Sequence, residues 1–149
     1  MALREKIPQD LKNALREKRT LELSVLRLLQ AALKNKEIEI NKKDLSDEDV
    51  ISVVNSEVKK RRDAVREFEN VNRPDAAQNE RDEIEILMRY MPEQLSEDEI
   101  RRIVRDAKSE SDAQSMKDIG QVMKIVMPKV KGKADGAAVN KIVREELEK

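Results

Sequence analysis

Helix breakers are scarce in this chain: three Gly and four Pro are spread over 149 residues. Between them the apolar residues return at i, i+3 and i+4, the spacing that lines one face of an α-helix. A strand would alternate with a period of two. The one alternation that stands out, Glu83-Ile84-Glu85-Ile86, lies inside a helical stripe of about four turns and loses to it. The spacing predicts an all-α protein.

A first helix is expected over about 8–18, with Pro8 in its first turn, where a missing N–H breaks no bond. A second, over about 20–38, carries the stripe Leu21, Val25, Leu28, Leu29 and Ala32, widened by Leu26 and Leu33. That stripe predicts Leu28 and Leu29 at the centre of the core. Asn41-Lys42-Lys43-Asp44 reads as a loop, and Ser46 as the N-cap of a long third helix ending near Asn70. Asp47, Glu48 and Asp49 then sit in its first turn, favourably placed against the helix dipole. Its inward face is expected to be Ile51, Val54, Val58, Val65 and Phe68. After the break at Asn72-Arg73-Pro74-Asp75, a fourth helix with Ala77, Ile84, Leu87, Met88 and Met91 inward runs up to Pro92.

Met91-Pro92-Glu93-Gln94-Leu95 reads as a linker, so the expected domains are 1–95 and 96–149. In the second, Ser96 and Glu99 suit a capping box opening a helix, and Ser109-Glu110-Ser111-Asp112 suits a loop. Ser115 or its neighbour is placed to cap a helix that Pro128 stops, and Asp135 to cap the last one. The expected architecture is an N-terminal helical domain of about four helices followed by a C-terminal three-helix domain.

Composition narrows the chemistry. There is no Cys and no His, which excludes a disulfide framework, a thiolate nucleophile, a Cys-type zinc site and an imidazole general base. Gly132-Lys133 has no Gly five residues upstream, so the phosphate-cradling loop of nucleotide-binding enzymes is missing. No spacing of carboxylates singles out a metal site; pairs such as Glu80 and Glu83 read as solvated faces. No catalytic residue, metal or cofactor is expected. The first twenty residues interleave both signs of charge, leaving no apolar signal core, and no stretch is apolar enough to cross a membrane. The expected compartment is the cytoplasm.

Lys plus Arg and Asp plus Glu are 31 each, so any contact with nucleic acid must come from a local patch. Two patches stand out. Lys59-Lys60-Arg61-Arg62 distributes its charges around a helix and reads as an exposed, solvated segment, a secondary basic patch. In Met127-Pro128-Lys129-Val130-Lys131-Gly132-Lys133 the lysines alternate; if extended, Lys129, Lys131 and Lys133 point to one side, just before a helix N-terminus. Spacing alone fits a polyanion contact and a solvated turn equally well. Lys117, Lys124 and Lys141 are candidate outer contacts.

The run MKDIGQVM (116–123) continuing through VMPKVKGKADGAAVNKIV resembles the signature of the GatB/YqeY family. So do ALKNKEIEI (32–40), EVKKRRDAVREFE (57–69) and EIEILMRYMPEQLSEDEI (83–100). The small stand-alone YqeY-like members are the best match, and the similarity spans nearly the whole chain. It implies a two-domain helical fold whose second part is similar to the tail of the B subunit of the tRNA-dependent amidotransferase. In that enzyme the tail contacts tRNA, while the chemistry resides in other domains. The resemblance thus carries a label of carbon–nitrogen ligase activity with glutamine as amido-nitrogen donor, without the catalytic parts. It implies a non-catalytic module that binds tRNA, or an amidotransferase–tRNA assembly, through the C-terminal domain, where the spacing offers Lys129, Lys131 and Lys133 as the contacts. The alternative from the residues is a protein–protein adaptor that docks through its charged N-terminal helices and binds no RNA.

Overall fold

The computed structural model describes residues 2–149. Its regular structure, among the described residues, is helical throughout: α1 (Leu3–Arg16), α2 (Thr20–Glu39), α3 (Asp47–Asn70), α4 (Pro74–Met88), α5 (Glu97–Ser111), α6 (Ile119–Val130) and α7 (Gly136–Leu147). A single 3-10 turn, Met116–Asp118, leads into α6. Two compact units result, one ending at Met91 and the other beginning at Pro92.

In the first unit α1 pairs with α2, and α3 packs most extensively on α4. Its core holds Ile7, Val25, Leu26, Leu29, Leu33, Val50, Val54, Val58 and Leu87. Helix α1 starts at Leu3, so Pro8 lies in its interior and not in its first turn. A proline there removes the bond to the carbonyl four residues back and costs about 3 kcal/mol. The stripe Leu3, Ile7, Leu11 and Ala14 offsets that cost, with Ile7 and Ala14 fully buried. The Leu3 N–H, unsatisfied within its own helix, donates to Asp47 Oδ1 at 3.0 Å. Leu28 departs further from expectation. It is 53% exposed, whereas Leu29 is 1% exposed. Helix α2 is apolar on most of its circumference, and sequence spacing does not say which apolar face turns inward.

Ser46 caps α3 in a reciprocal capping box with Asp49. Helix α4 begins on Pro74, whose fixed φ suits the first helical position. It ends at Met88, three residues before the expected stop. Tyr90 and Met91 bond back to Leu87 and Met88 in tight turns, which brings the Tyr90 ring into the core at 3% exposure.

Helices α1, α2, α3 and α5 share one kind of ending. Lys18, Asn41, Asn72 and Asp112 adopt left-handed φ of 58°, 53°, 57° and 57°. In each case the next N–H reaches back five residues: Arg19 to Ala14, Lys42 to Glu37, Arg73 to Phe68 and Ala113 to Lys108. This is the six-to-one bond of a Schellman motif. It uses no glycine.

In the second unit α5 packs on both α6 and α7 around Ile100, Val104, Val122, Val126, Val139 and Val143. Ser96 caps α5, accepting from the Glu99 N–H. That helix runs on through Ser109-Glu110-Ser111, expected to be a loop, until Asp112 turns it. Pro128 does not stop α6, which continues to Val130. Val130 is 1% exposed, and its burial carries the last turn past the missing N–H. Asp135 caps α7, accepting from the Ala137 N–H at 3.2 Å.

Candidate nucleic-acid interface

The lysine-rich segment is a compact turn and not an extended row. Lys129 belongs to the last turn of α6, Lys131 is its C-cap, and Gly132 takes φ 75°, which a residue with a side chain rarely adopts. The Lys133 and Ala134 N–H groups both bond to the Val130 carbonyl. Two residues preceding α5 clamp the turn from outside. The Leu95 N–H donates to the Lys133 carbonyl at 2.8 Å, and the Gln94 side chain donates to the Gly132 carbonyl at 3.0 Å. The one-sided pointing expected of Lys129, Lys131 and Lys133 is therefore lost, because that alternation belongs to extended backbone only.

A different alignment replaces it. Gly120, Gln121, Lys124, Met127, Pro128 and Lys131 are all exposed and fall at i, i+1, i+4, i+7, i+8 and i+11, one continuous face of α6. Lys124 and Lys131 lie two turns apart on it, about 10.5 Å along the axis. From Ile119 to Ala134 there are four lysines and no carboxylate. Lys117, Lys129, Lys133 and Lys141 are exposed as well. Lys129 faces Glu110 across 3.9 Å, and Lys141 lies near enough to Glu145 to help hold its carboxyl below the usual range, though Arg101 is the larger cause. The alignment of Lys124 in α6 with Lys131 at its C-cap was legible as a seven-residue spacing. Reading Pro128 as a stop concealed it.

Three of the four cations of α5 are committed elsewhere, while Arg102 is exposed. Arg101 pairs with Glu145, Arg105 with Glu146, and Lys108 donates to the Glu146 carbonyl, a ladder that joins α5 to α7. Glu146 is 2% exposed, and Lys149 and Arg105 together hold its carboxyl below the usual range against the effect of burial.

The secondary basic run is divided. Lys59 and Lys60 are exposed on α3, but Arg61 is buried and turned toward α4. It donates to Glu57 at 3.0 Å, and its Nε lies 3.6 Å from Glu83 without a hydrogen bond. Glu83 is thus part of the α3–α4 seam and not a solvated partner of Glu80. Burial, and the Glu83 charge beside it, push the Glu80 carboxyl up, while Arg61 pulls it down. Arg62 is half-buried. Lys60 faces Glu57 across 3.5 Å, so this run offers two exposed lysine positions, one of them ion-paired, and not a four-cation patch.

Both aromatic rings are occupied. Tyr90 is buried beneath Lys6, and Phe68, half-buried, has the Arg73 guanidinium 6.0 Å from its centroid. Base stacking on exposed rings, the usual means of reading single strands, has no platform here among the described residues. Nor do the described residues gather three or more carboxylates able to hold a metal ion.

Over 143 residues the chain is 30% identical to "Altered inheritance of mitochondria protein 41, mitochondrial" of Pyrenophora tritici-repentis, covering 94% of this chain and 78% of that protein. The protein of the same description from Lachancea thermotolerans is 34% identical over 85 residues, 57% of this chain and 46% of that one. In Kluyveromyces lactis its counterpart is 34% identical over 84 residues, 56% and 45% of the two chains. The family model described as Yqey-like protein matches residues 4–147, and the chain belongs to that family.

Proposed function

We propose that this protein is a non-catalytic module that binds folded tRNA, alone or within a tRNA-dependent amidotransferase assembly, through the outer face of α6 and the turn after it. The observation that carries the reading is the stretch from Ile119 to Ala134, whose four lysines meet no carboxylate within the stretch. Lys124 and Lys131 share one helix face, and Lys133 follows on a turn held rigid by Gln94 and Leu95. A clamped turn presents its charges with little ordering cost on binding. Lysines so placed suit phosphates, which position a folded RNA without reading its sequence. The ligase label carried by the family resemblance then describes the assembly and not this chain. Glutamine-dependent amidotransfer by the purified chain alone would overturn the non-catalytic part. We read its compartment as the cytoplasm; the relatives are named as mitochondrial, and imaging of the tagged full chain decides between the two.

The test is tRNA binding followed by fluorescence anisotropy across a salt series. Three phosphate contacts give a log–log slope of about −2 to −3. Replacing Lys124, Lys131 and Lys133 with Gln should flatten that slope and weaken different tRNAs alike. Lys59→Gln with Lys60→Gln serves as the control for bulk charge. Undetectable binding at low salt, or a control that abolishes binding while the α6 variant does not, would remove this reading.

A further inference from the structure

We infer that the outer face of α2 is a docking site for an acidic amphipathic helix of a partner protein. This goes beyond tRNA binding and involves the other unit. Apolar residues of an amphipathic helix normally turn toward the core, yet α2 leaves Leu28 53% and Ile38 71% exposed. With exposed Arg27, Ala31, Lys34 and Asn35 they fall at i, i+1, i+4, i+7, i+8 and i+11, a single face. Beside that face runs a groove of about 540 Å³ between α1 and α2, lined by Arg4, Pro8, Arg27, Gln30, Ala31 and Lys34 together with Glu37. A groove next to an apolar ridge is the relief into which another helix packs.

Charge selects the occupant. Arg4 is already matched with Glu37 at 2.6 Å. Arg27 and Lys34 have no ion pair or hydrogen bond from their side chains among the described residues. They lie two turns apart, about 10.5 Å, so carboxylates two turns apart on an incoming helix meet both. A second copy of this chain fits badly. The carboxylates on this side, Glu37 and Glu39, already face Arg4 and Lys36, and self-docking sets Arg27 and Lys34 against like charges. An RNA backbone satisfies the two cations but leaves Leu28 and Ile38 in water. A helix with leucines inward and glutamates flanking answers both features.

The experiment titrates the full chain against two synthetic amphipathic helices with the same apolar face, one flanked by Glu and its twin by Lys. The Glu peptide should bind and the Lys peptide should not. Arg27→Glu with Lys34→Glu should weaken the Glu peptide at least tenfold and admit the Lys peptide. Leu28→Asp should weaken both pairings. All three positions are exposed, so thermal melts of the variants should match the parent and exclude misfolding. The inference fails if neither peptide binds or if charge reversal leaves the Glu peptide unaffected. It also fails if sedimentation shows a self-associated chain that Leu28→Asp makes monomeric, or if the charge reversal abolishes tRNA binding while Leu28→Asp has no effect on either ligand. Loss of tRNA binding in the α6 lysine variant leaves this result unchanged, which separates the two proposals.

Discussion

The Tyr90 hydroxyl donates to the Asp10 carboxylate over 2.6 Å, tying the segment after α4 to the middle of α1 across eighty residues of sequence. Tyr90→Phe keeps the ring and removes this bond, so it should cost about 1.5–3 kcal/mol in urea unfolding, as expected for a hydrogen bond to a charged acceptor. Burial, and then the bond to Asp10, push the phenol pKa up. A folded-state pKa above the unfolded one gives stability that is intact below the unfolded value, about 10, and is lost as pH rises beyond it. The parent should therefore lose stability above about pH 10 while Tyr90→Phe loses less. Tyr90 is the sole tyrosine, so ultraviolet titration reads this group alone.

Leu28 and Leu29 are adjacent in sequence and opposite in burial. Leu29→Ala should cost about 2–5 kcal/mol, because it opens a cavity in the first core. Leu28→Ala should stay within about 0.5 kcal/mol, as surface changes do. Equal losses from the two would mean that the outer face of α2 is covered.

Lys18 ends α1 with a φ that glycine adopts freely and lysine does not. Lys18→Gly should stabilise the chain by about 0.5–1 kcal/mol, set by the difference between steric relief and lost unfolded-state restriction. A higher melting temperature with unchanged helicity is the expected readout. Destabilisation would show that the lysine side chain contributes more than its backbone costs.

Arg61 is the charge that makes the α3–α4 seam tolerable. Arg61→Ala should cost about 3 kcal/mol, since it leaves Glu57 and Glu83 largely buried without their shared cation. Glu80→Gln should do the opposite and raise stability at neutral pH. The raised Glu80 pKa means folding favours its protonated form, so its charge opposes the fold above the carboxylate range. That gain should vanish as pH falls through the carboxylate range, and a gain that persists at low pH would assign it to something other than charge.

Residues 92–149 should fold alone, with a cooperative helical melt. Fragment 96–149 should be less stable by about 1–2 kcal/mol, because it lacks the two hydrogen bonds that Gln94 and Leu95 give to the turn after α6. A random-coil 92–149 would show that the unit needs the rest of the chain.

Much of this fold was legible because its caps are local. Ser46, Ser96 and Asp135 each satisfy an N–H within three residues, so the signal and the structure lie in the same short segment. The misreadings share the opposite property. Pro8 and Pro128 are local breakers overruled by distant burial of Ile7 and Val130. Leu28 was placed by spacing on a helix whose apolar residues surround it, where only the neighbouring helices decide the inward face. Arg61 looked like one cation of four because its burial comes from α4, whose Glu83 lies 3.6 Å away, whereas its hydrogen-bonded partner Glu57 is on its own helix. The left-handed helix ends were missed for want of glycine, although Asn41, Asn72 and Asp112 are residue types that tolerate that conformation. For the lysines, residue type was informative and geometry was not: a turn and an extended strand have the same sequence of alternate charges.

The clamp on the lysine turn also sets a leash. Tyr90 is anchored in the first unit by Asp10, and Gln94 in the second by Gly132. Three residues lie between those anchors, a stretch that reaches about 14 Å at full extension. Covalent linkage makes engagement of the second unit intramolecular once the first is bound. On the two proposals, an assembly offering a folded RNA and an acidic helix at a spacing both sites can reach together is retained by avidity, even when each contact alone is weak, and a long flexible insert in the tether should weaken that retention.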